Sequence, residues 1–163
     1  KTAIDGGYKC TCTSPTLKDG SHTISVKASD NDGNAAAAKT ATFTVDTVPP
    51  TLQITAPSND LVTNKKTVTI TGKTDDVTSK PVTVTVNGAT VTVGTDGTFT
   101  KEVTLVEGAN TITIVAKDKA GKITTVTRKV TVDTSAPVIK SITLTPNPVD
   151  CGKTFIIAVE ITD

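Results

Sequence analysis

The feature that most constrains this chain is that it repeats itself. The segment DGSHTISVKASDNDGN (residues 19–34), followed by FTVDTVPP (43–50), returns as EGANTITIVAKDKAGK (107–122), followed by VTVDTSAP (130–137). Gly20 and Gly108 are 88 residues apart, whereas Asp46 and Asp133 are 87 apart, so one residue is lost from the hairpin between them. KTVTI at 66–70 returns as KTFII at 153–157, again 87 residues on. A period of this length is close to that of one small β-sandwich domain, about 100 residues.

The period sets the organisation. Residues 48–134 make one complete repeat, residues 1–47 the back half of a preceding one, and residues 135–163 the opening strands of a following one. The joints fall at Val48-Pro49-Pro50 and Ala136-Pro137. Proline there fixes φ, removes a donor and keeps the preceding residue extended, which favours a semi-rigid rod over a floppy string. Mapped onto the complete repeat, Lys1 falls near Ala89 and Asp163 at Asp76, so the two partial repeats are complementary. Two expectations follow. Either the chain is part of a longer multi-domain stalk, or the last strands of one copy complete the first half-domain of the next, head to tail.

The pattern within the repeat is that of strands. Roughly a fifth of the residues are threonine, aromatics are 2%, and Trp and Met are absent; β-branched side chains are stiff and suit a pleated surface. Alternation marks seven runs, at 52–55, 67–71, 82–86, 90–93, 98–105, 111–117 and 122–132. It places Val68 and Ile70, Val84 and Val86, Val91 and Val93, Ile112, Ile114 and Ala116, and Val126, Val130 and Val132 on inward faces. Asn87-Gly88 between two such runs is a two-residue hairpin signal, and Asp96-Gly97 and Ala120-Gly121 mark further reversals. No helical periodicity occurs, so the fold class is all-β.

Charge and cysteine content narrow the function. A net charge of +1 with no polybasic stretch excludes the electrostatic footprint of nucleic-acid binding. No run reaches the roughly 18 apolar residues of a transmembrane helix, so no membrane insertion is expected. The N-terminus carries no apolar signal segment, which fits a processed chain or an excerpt. Cys10, Cys12 and Cys151 form no metal-ligand spacing and no disulfide framework. Cys10 and Cys12, two apart on an expected strand, would share a face and not bond each other; a bridge from either to Cys151 stays open.

DGSHTISVKASDNDGN with FTVDTVPP, and EGANTITIVAKDKAGK with VTVDTSAP, resemble the last two strands and linker of bacterial Ig-like repeats in secreted and cell-surface proteins. Residues 141–163 resemble the opening strands of Ig-like modules that also occur in phage tail and other virion proteins. The resemblance implies tandem immunoglobulin-like β-sandwiches of Greek-key type, located extracellularly, on a cell surface or on a virion. It implies stalks, adhesins, spacers beside catalytic domains in glycan-degrading enzymes, and decorations of phage particles. Implied partners are neighbouring Ig-like domains, identical subunits, or a host-surface glycan or protein. The core Trp and inter-sheet disulfide of vertebrate Ig domains are both missing here.

Each residue with chemical potential has a structural reading beside the functional one. His22, the only histidine, follows Ser21, but the second copy has Ala109-Asn110 there and no nucleophile elbow exists, so an exposed strand start is expected. Asp30, Asp32 and Asn34 put clustered oxygens on a tight loop and are the candidate calcium ligands; a hairpin held by Asx-type hydrogen bonds is the alternative. The second copy keeps Asp118 and Gly121 but has Lys119 and Lys122 where oxygens are needed. Asp46 and Asp133 recur before the prolines, where capping the linker backbone competes with ligating a cation between domains. Asp75-Asp76 is expected only to solvate a loop. Sugar binding wants aromatic platforms; Phe43 and Phe155 align with Val130 and Val68 and are expected in the core, and Tyr8 alone is a poor platform. The resulting expectation is a non-enzymatic structural or adhesive module, with no cofactor apart from that candidate calcium. The alternative is an accessory carbohydrate-binding or spacer region of a secreted glycoside hydrolase.

Overall fold

The computed structural model describes residues 2–4, 7–145, 147–148 and 151–163, with backbone alone for residues 3, 4, 7 and 8. Every regular element among them is a strand. The first group comprises β1 (Thr2–Ile4), β2 (Gly7–Lys9), β3 (Gly20–Val26) and β4 (Lys39–Val45). A central group follows: β5 (Thr51–Ala56), β6 (Leu61–Thr63), β7 (Thr67–Asp75), β8 (Thr83–Val86), β9 (Ala89–Val91), β10 (Thr98–Thr104), β11 (Gly108–Lys117) and β12 (Ile123–Val132). The last two are β13 (Val138–Thr145) and β14 (Ile156–Thr162).

The central group is a two-sheet sandwich. One sheet has the order β10-β7-β5 and the other β6-β12-β11-β8-β9. All pairs are antiparallel except β6 with β12. Alternation in the sequence translates directly into burial: Ile54, Ile70 and Phe99 from the first sheet meet Val84, Val86, Val91, Ile112, Ile114, Ala116, Val130 and Val132 from the second. Each of the Val, Ile and Phe side chains contributes about 1.5–3 kcal/mol when fully buried. Phe99 lies opposite Gly72 across β10 and β7. A Cβ on Gly72 would stand 2.6 Å from both the Phe99 ring and the Gln53 carbonyl, so the glycine makes room for the ring.

The hairpin expected at Asn87-Gly88 joins β8 to β9, with φ of 48° and 81° at the two loop residues, the left-handed pair that a two-residue turn needs. Seven of the central strands match the seven alternating runs; β6 is additional. It is three residues long, too short to show a period. Its place is set from outside, by parallel pairing of Leu61–Thr63 with Val130–Val132. Arg128 secures the crossover from β5 to β6: its Nε donates to the Pro57 carbonyl at 3.1 Å and its Nη2 to the Ile54 carbonyl at 3.1 Å. The Lys129 amide adds a bond to Asn59 Oδ1 at 3.0 Å.

The flanking strands form hairpins, β1–β2, β3–β4 and β13–β14, each a two-stranded sheet. Register in β3–β4 runs from Gly20↔Val45 and in β11–β12 from Gly108↔Val132, the repeat made visible with its one-residue difference. Two sequence expectations are corrected here. Phe43 and Phe155 are 37% and 48% exposed rather than core, against 4% for Phe99, because β3–β4, which holds Phe43, and β13–β14, which Phe155 immediately precedes, face no second sheet among the described residues. Cys10 and Cys12 lie beyond the end of β2, not on a strand, and all three thiols are free and exposed.

Candidate functional site

The joint between β4 and β5 is tied by side-chain hydrogen bonds to the linker. Asp19, just before β3, holds Thr47 with both oxygens: the Thr47 amide donates to Oδ1 at 3.0 Å and its hydroxyl to Oδ2 at 2.9 Å. The same clamp recurs after the central sandwich, with the Thr134 amide and hydroxyl donating to Glu107 at 2.9 and 2.8 Å. Asp46 Oδ1 accepts from the Val48 amide at 3.1 Å, and Asp133 Oδ1 accepts from the Ser135 amide at 2.9 Å. The local capping foreseen for Asp46 and Asp133 is thus present. The clamp by Asp19 and Glu107 was missed, although an acidic residue recurring 88 positions apart beside Gly20 and Gly108 was a signal for it.

On the far side of the joint, Asp76 Oδ1 accepts from the Thr78 and Ser79 amides at 2.8 and 2.7 Å. The Ser79 carbonyl accepts from the Lys119 amide at 3.1 Å, which ties this loop to the β11–β12 turn. Thr42, Phe43 and Thr44 of β4 share a groove with Thr78, Ser79, Lys80, Lys119 and Ala120, so the N-terminal hairpin rests beside both loops. The expectation that Asp75 and Asp76 merely solvate a loop is corrected. Asp75 ends β7 and pairs with Lys80 at 2.7 Å, a bond that holds its carboxyl below the ordinary carboxylate value. Asp76 is only 6% exposed.

The two copies of the acidic turn adopt one backbone conformation with different surroundings. In the first, Asp30 Oδ1 accepts from the Asp32 and Asn34 amides at 3.1 and 2.7 Å, and Oδ2 accepts from the Asn34 side-chain amide at 2.7 Å. The Asn34 side chain, then its amide, hold this carboxyl below its ordinary value. Asp30, Asp32 and Asn34 are all exposed. In the second, Asp118 Oδ1 accepts from the Lys122 amide at 2.8 Å, and Oδ2 is buried with no hydrogen-bond partner. Among the described residues, Asp46, Asp76 and Asp118 are the one group that brings three carboxylates within 4.8 Å of one another. Sequence spacing could not show this, because the three are spread over three separate elements.

His22 Nε2 lies 2.8 Å from the Lys18 carbonyl, and its ring sits 5.6 Å from that of Phe43, its cross-strand partner. The Tyr8 side chain lies outside the described residues.

Comparison with known proteins places the chain. Residues 50–134 match the family model described as glucodextranase, domain B, and residues 1–47 match the bacterial Ig-like domain model. Bacillopeptidase F of Bacillus subtilis (strain 168) is 32% identical over 142 residues, which cover 87% of this chain and 10% of that protein. The chain therefore spans about a tenth of the length of this relative. Among solved structures, the fibronectin(III)-like modules of Clostridium thermocellum CbhA align at 25% identity with a TM-score of 0.42, over 72% of this chain and 64% of that one. A tetra-tandem repeat from the extending region of a large adhesion protein aligns at 23% identity with a TM-score of 0.44, over 88% and 46%. With more than half of its residues inside the first family match, the chain belongs to the glucodextranase domain B family and carries a bacterial Ig-like domain match ahead of it.

Proposed function

We propose that this chain is a non-catalytic spacer of a larger extracellular protein, in which Ig-like domains are held at a set angle to carry another part of the molecule away from its base. The domains proposed are the complete one at 48–134, the back half of one at 1–47 and the opening of one at 135–163. The observation that carries the reading is the repeated joint clamp, Asp19 on Thr47 and Glu107 on Thr134, each two-pronged and one period apart. A joint meant only to connect needs no bidentate bond to the linker. The two names found by comparison that denote enzymes, glucodextranase and bacillopeptidase F, favour a place beside catalytic domains. NMR relaxation of the full chain tests the reading: β3–β4 and the central sandwich should tumble as one body. Separate correlation times would refute it.

A second form of the reading is strand completion between copies, giving a filament. It is favoured by the bare apolar faces of the flanking hairpins, where Ile24, Val26, Ile142, Ile157 and Val159 are exposed. Light scattering after size exclusion, with negative-stain microscopy, separates the two. Beaded filaments support completion, and monomers support a spacer alone.

A further inference from the structure

We propose that Asp46, Asp76 and Asp118 form a calcium site that staples the N-terminal hairpin to the central sandwich. This deepens the spacer reading by naming what stiffens the joint, and it relies on that reading only for the consequence of binding, not for binding itself.

The three carboxylates come from different sides of the joint: Asp46 from the end of β4, Asp76 from the loop after β7, and Asp118 from the β11–β12 turn. Each already spends its Oδ1 on a backbone amide of its own segment. That fixes the carboxylates in place. Asp118 is 5% exposed, and its Oδ2 and that of Asp46 are both buried with no hydrogen-bond partner; Asp46 as a whole residue is half-buried. A buried anionic oxygen without a partner is costly, and three carboxylates this close repel one another. The ion pair found among the described residues, Lys80 with Asp75, leaves the three uncompensated.

A cation resolves both costs, and the donor set names its class. All three donors are carboxylates, with no thiol or imidazole among them, which selects a hard cation. Two oxygens bound to one calcium ion at 2.3–2.6 Å stand at most about 4.6–5.2 Å apart, and the carboxylate atoms here lie within 4.8 Å. Magnesium dehydrates reluctantly and is seldom held by an all-protein carboxylate cage, which favours calcium. The period carries the pattern onward as well: Asp133 stands 87 residues after Asp46, and Asp163 stands 87 after Asp76.

The test is calorimetric titration of the full 163-residue chain with calcium chloride, after treatment with chelator. One saturable site per chain is expected, with an affinity of about 10⁻⁴–10⁻³ M or tighter, the range of extracellular modules. D46N, D76N and D118N should each weaken binding at least tenfold, while D30N leaves it unchanged. Asparagine keeps the oxygen that accepts the turn hydrogen bonds and removes the charge. Should D76N or D118N unfold, D46N decides, since Asp46 lies outside the central sandwich. No saturable heat, wild-type binding in D46N, or loss of binding in D30N would each overturn the site. NMR relaxation on the same samples keeps the two proposals separate: binding without stiffening would sink the spacer reading and leave the site standing.

Discussion

The β3–β4 hairpin and the β11–β12 hairpin are nearly one sequence folded twice, yet they end in opposite environments. Both pair antiparallel from an equivalent glycine, both clamp the linker threonine with a preceding acid, and both turn through an Asp-x-x-Gly loop. Ile112 and Val130 are buried in the second; their counterparts Ile24 and Phe43 are exposed in the first. The hairpin is therefore a local product of alternation and turn chemistry, whereas burial is conferred by an opposing sheet that only the second copy has among the described residues. The acidic turns diverge for the same reason. Asp30 satisfies itself with Asn34 in solvent, while Asp118, with Lys122 in place of that asparagine, is closed into the joint and left with a free oxygen.

This contrast can be attacked at matched positions. The largest effect is expected from Ile112→Ala against Ile24→Ala: the first should cost about 2–5 kcal/mol of stability, the second no more than about 0.5 kcal/mol. Urea unfolding followed by circular dichroism reads both, and equal costs would mean that the first hairpin is covered in solution. Next is Arg128, whose counterpart one period earlier is Ala41. Arg128→Ala strips the Ile54 and Pro57 carbonyls of a charged donor and should cost about 1.5–3 kcal/mol, seen as a shift in the urea midpoint without a change in its slope.

A smaller effect belongs to the clamp. Asp19→Ala removes both bonds to Thr47 and should cost about 1 kcal/mol locally, with faster hydrogen exchange at Thr47 and unchanged exchange in β11 and β12. Exchange that rises equally in both places would deny the joint any independence. The smallest effect is the acid response of the first turn. Asp30 has its carboxyl held below 3.8 in the folded chain, so its contribution is complete above the unfolded value and fades as pH falls through the lower folded one. Asn34→Ala removes the largest cause and should raise the NMR titration midpoint of Asp30 toward 3.8. An unmoved midpoint would show that the side-chain bond is not formed in solution.

Much of the fold was legible. The inward residues of the central strands, the Asn87-Gly88 turn and the repeat itself follow from period and turn chemistry, which act over a few residues. β6 was not legible, since three residues carry no period and parallel pairing to β12 is a long-range event. Phe43 and Phe155 were misread because alignment to Val130 and Val68 transfers a position in the repeat but not the sheet packed over it.

The candidate site divides in the same way. Asp30, Asp32 and Asn34 are neighbours along the chain, so their clustered oxygens are visible in the sequence, whereas Asp118 sits in a turn flanked by lysines. Ligand-like convergence depends on where carboxylates meet and whether water reaches them, and neither is written in local order. The sequence by itself determined strands, turns, period and the recurrence of Asp46 as Asp133. Only the tertiary structure decided that Asp46, Asp76 and Asp118 share one buried corner, because desolvation and like-charge proximity arise when separate segments pack, not when residues follow one another along the chain.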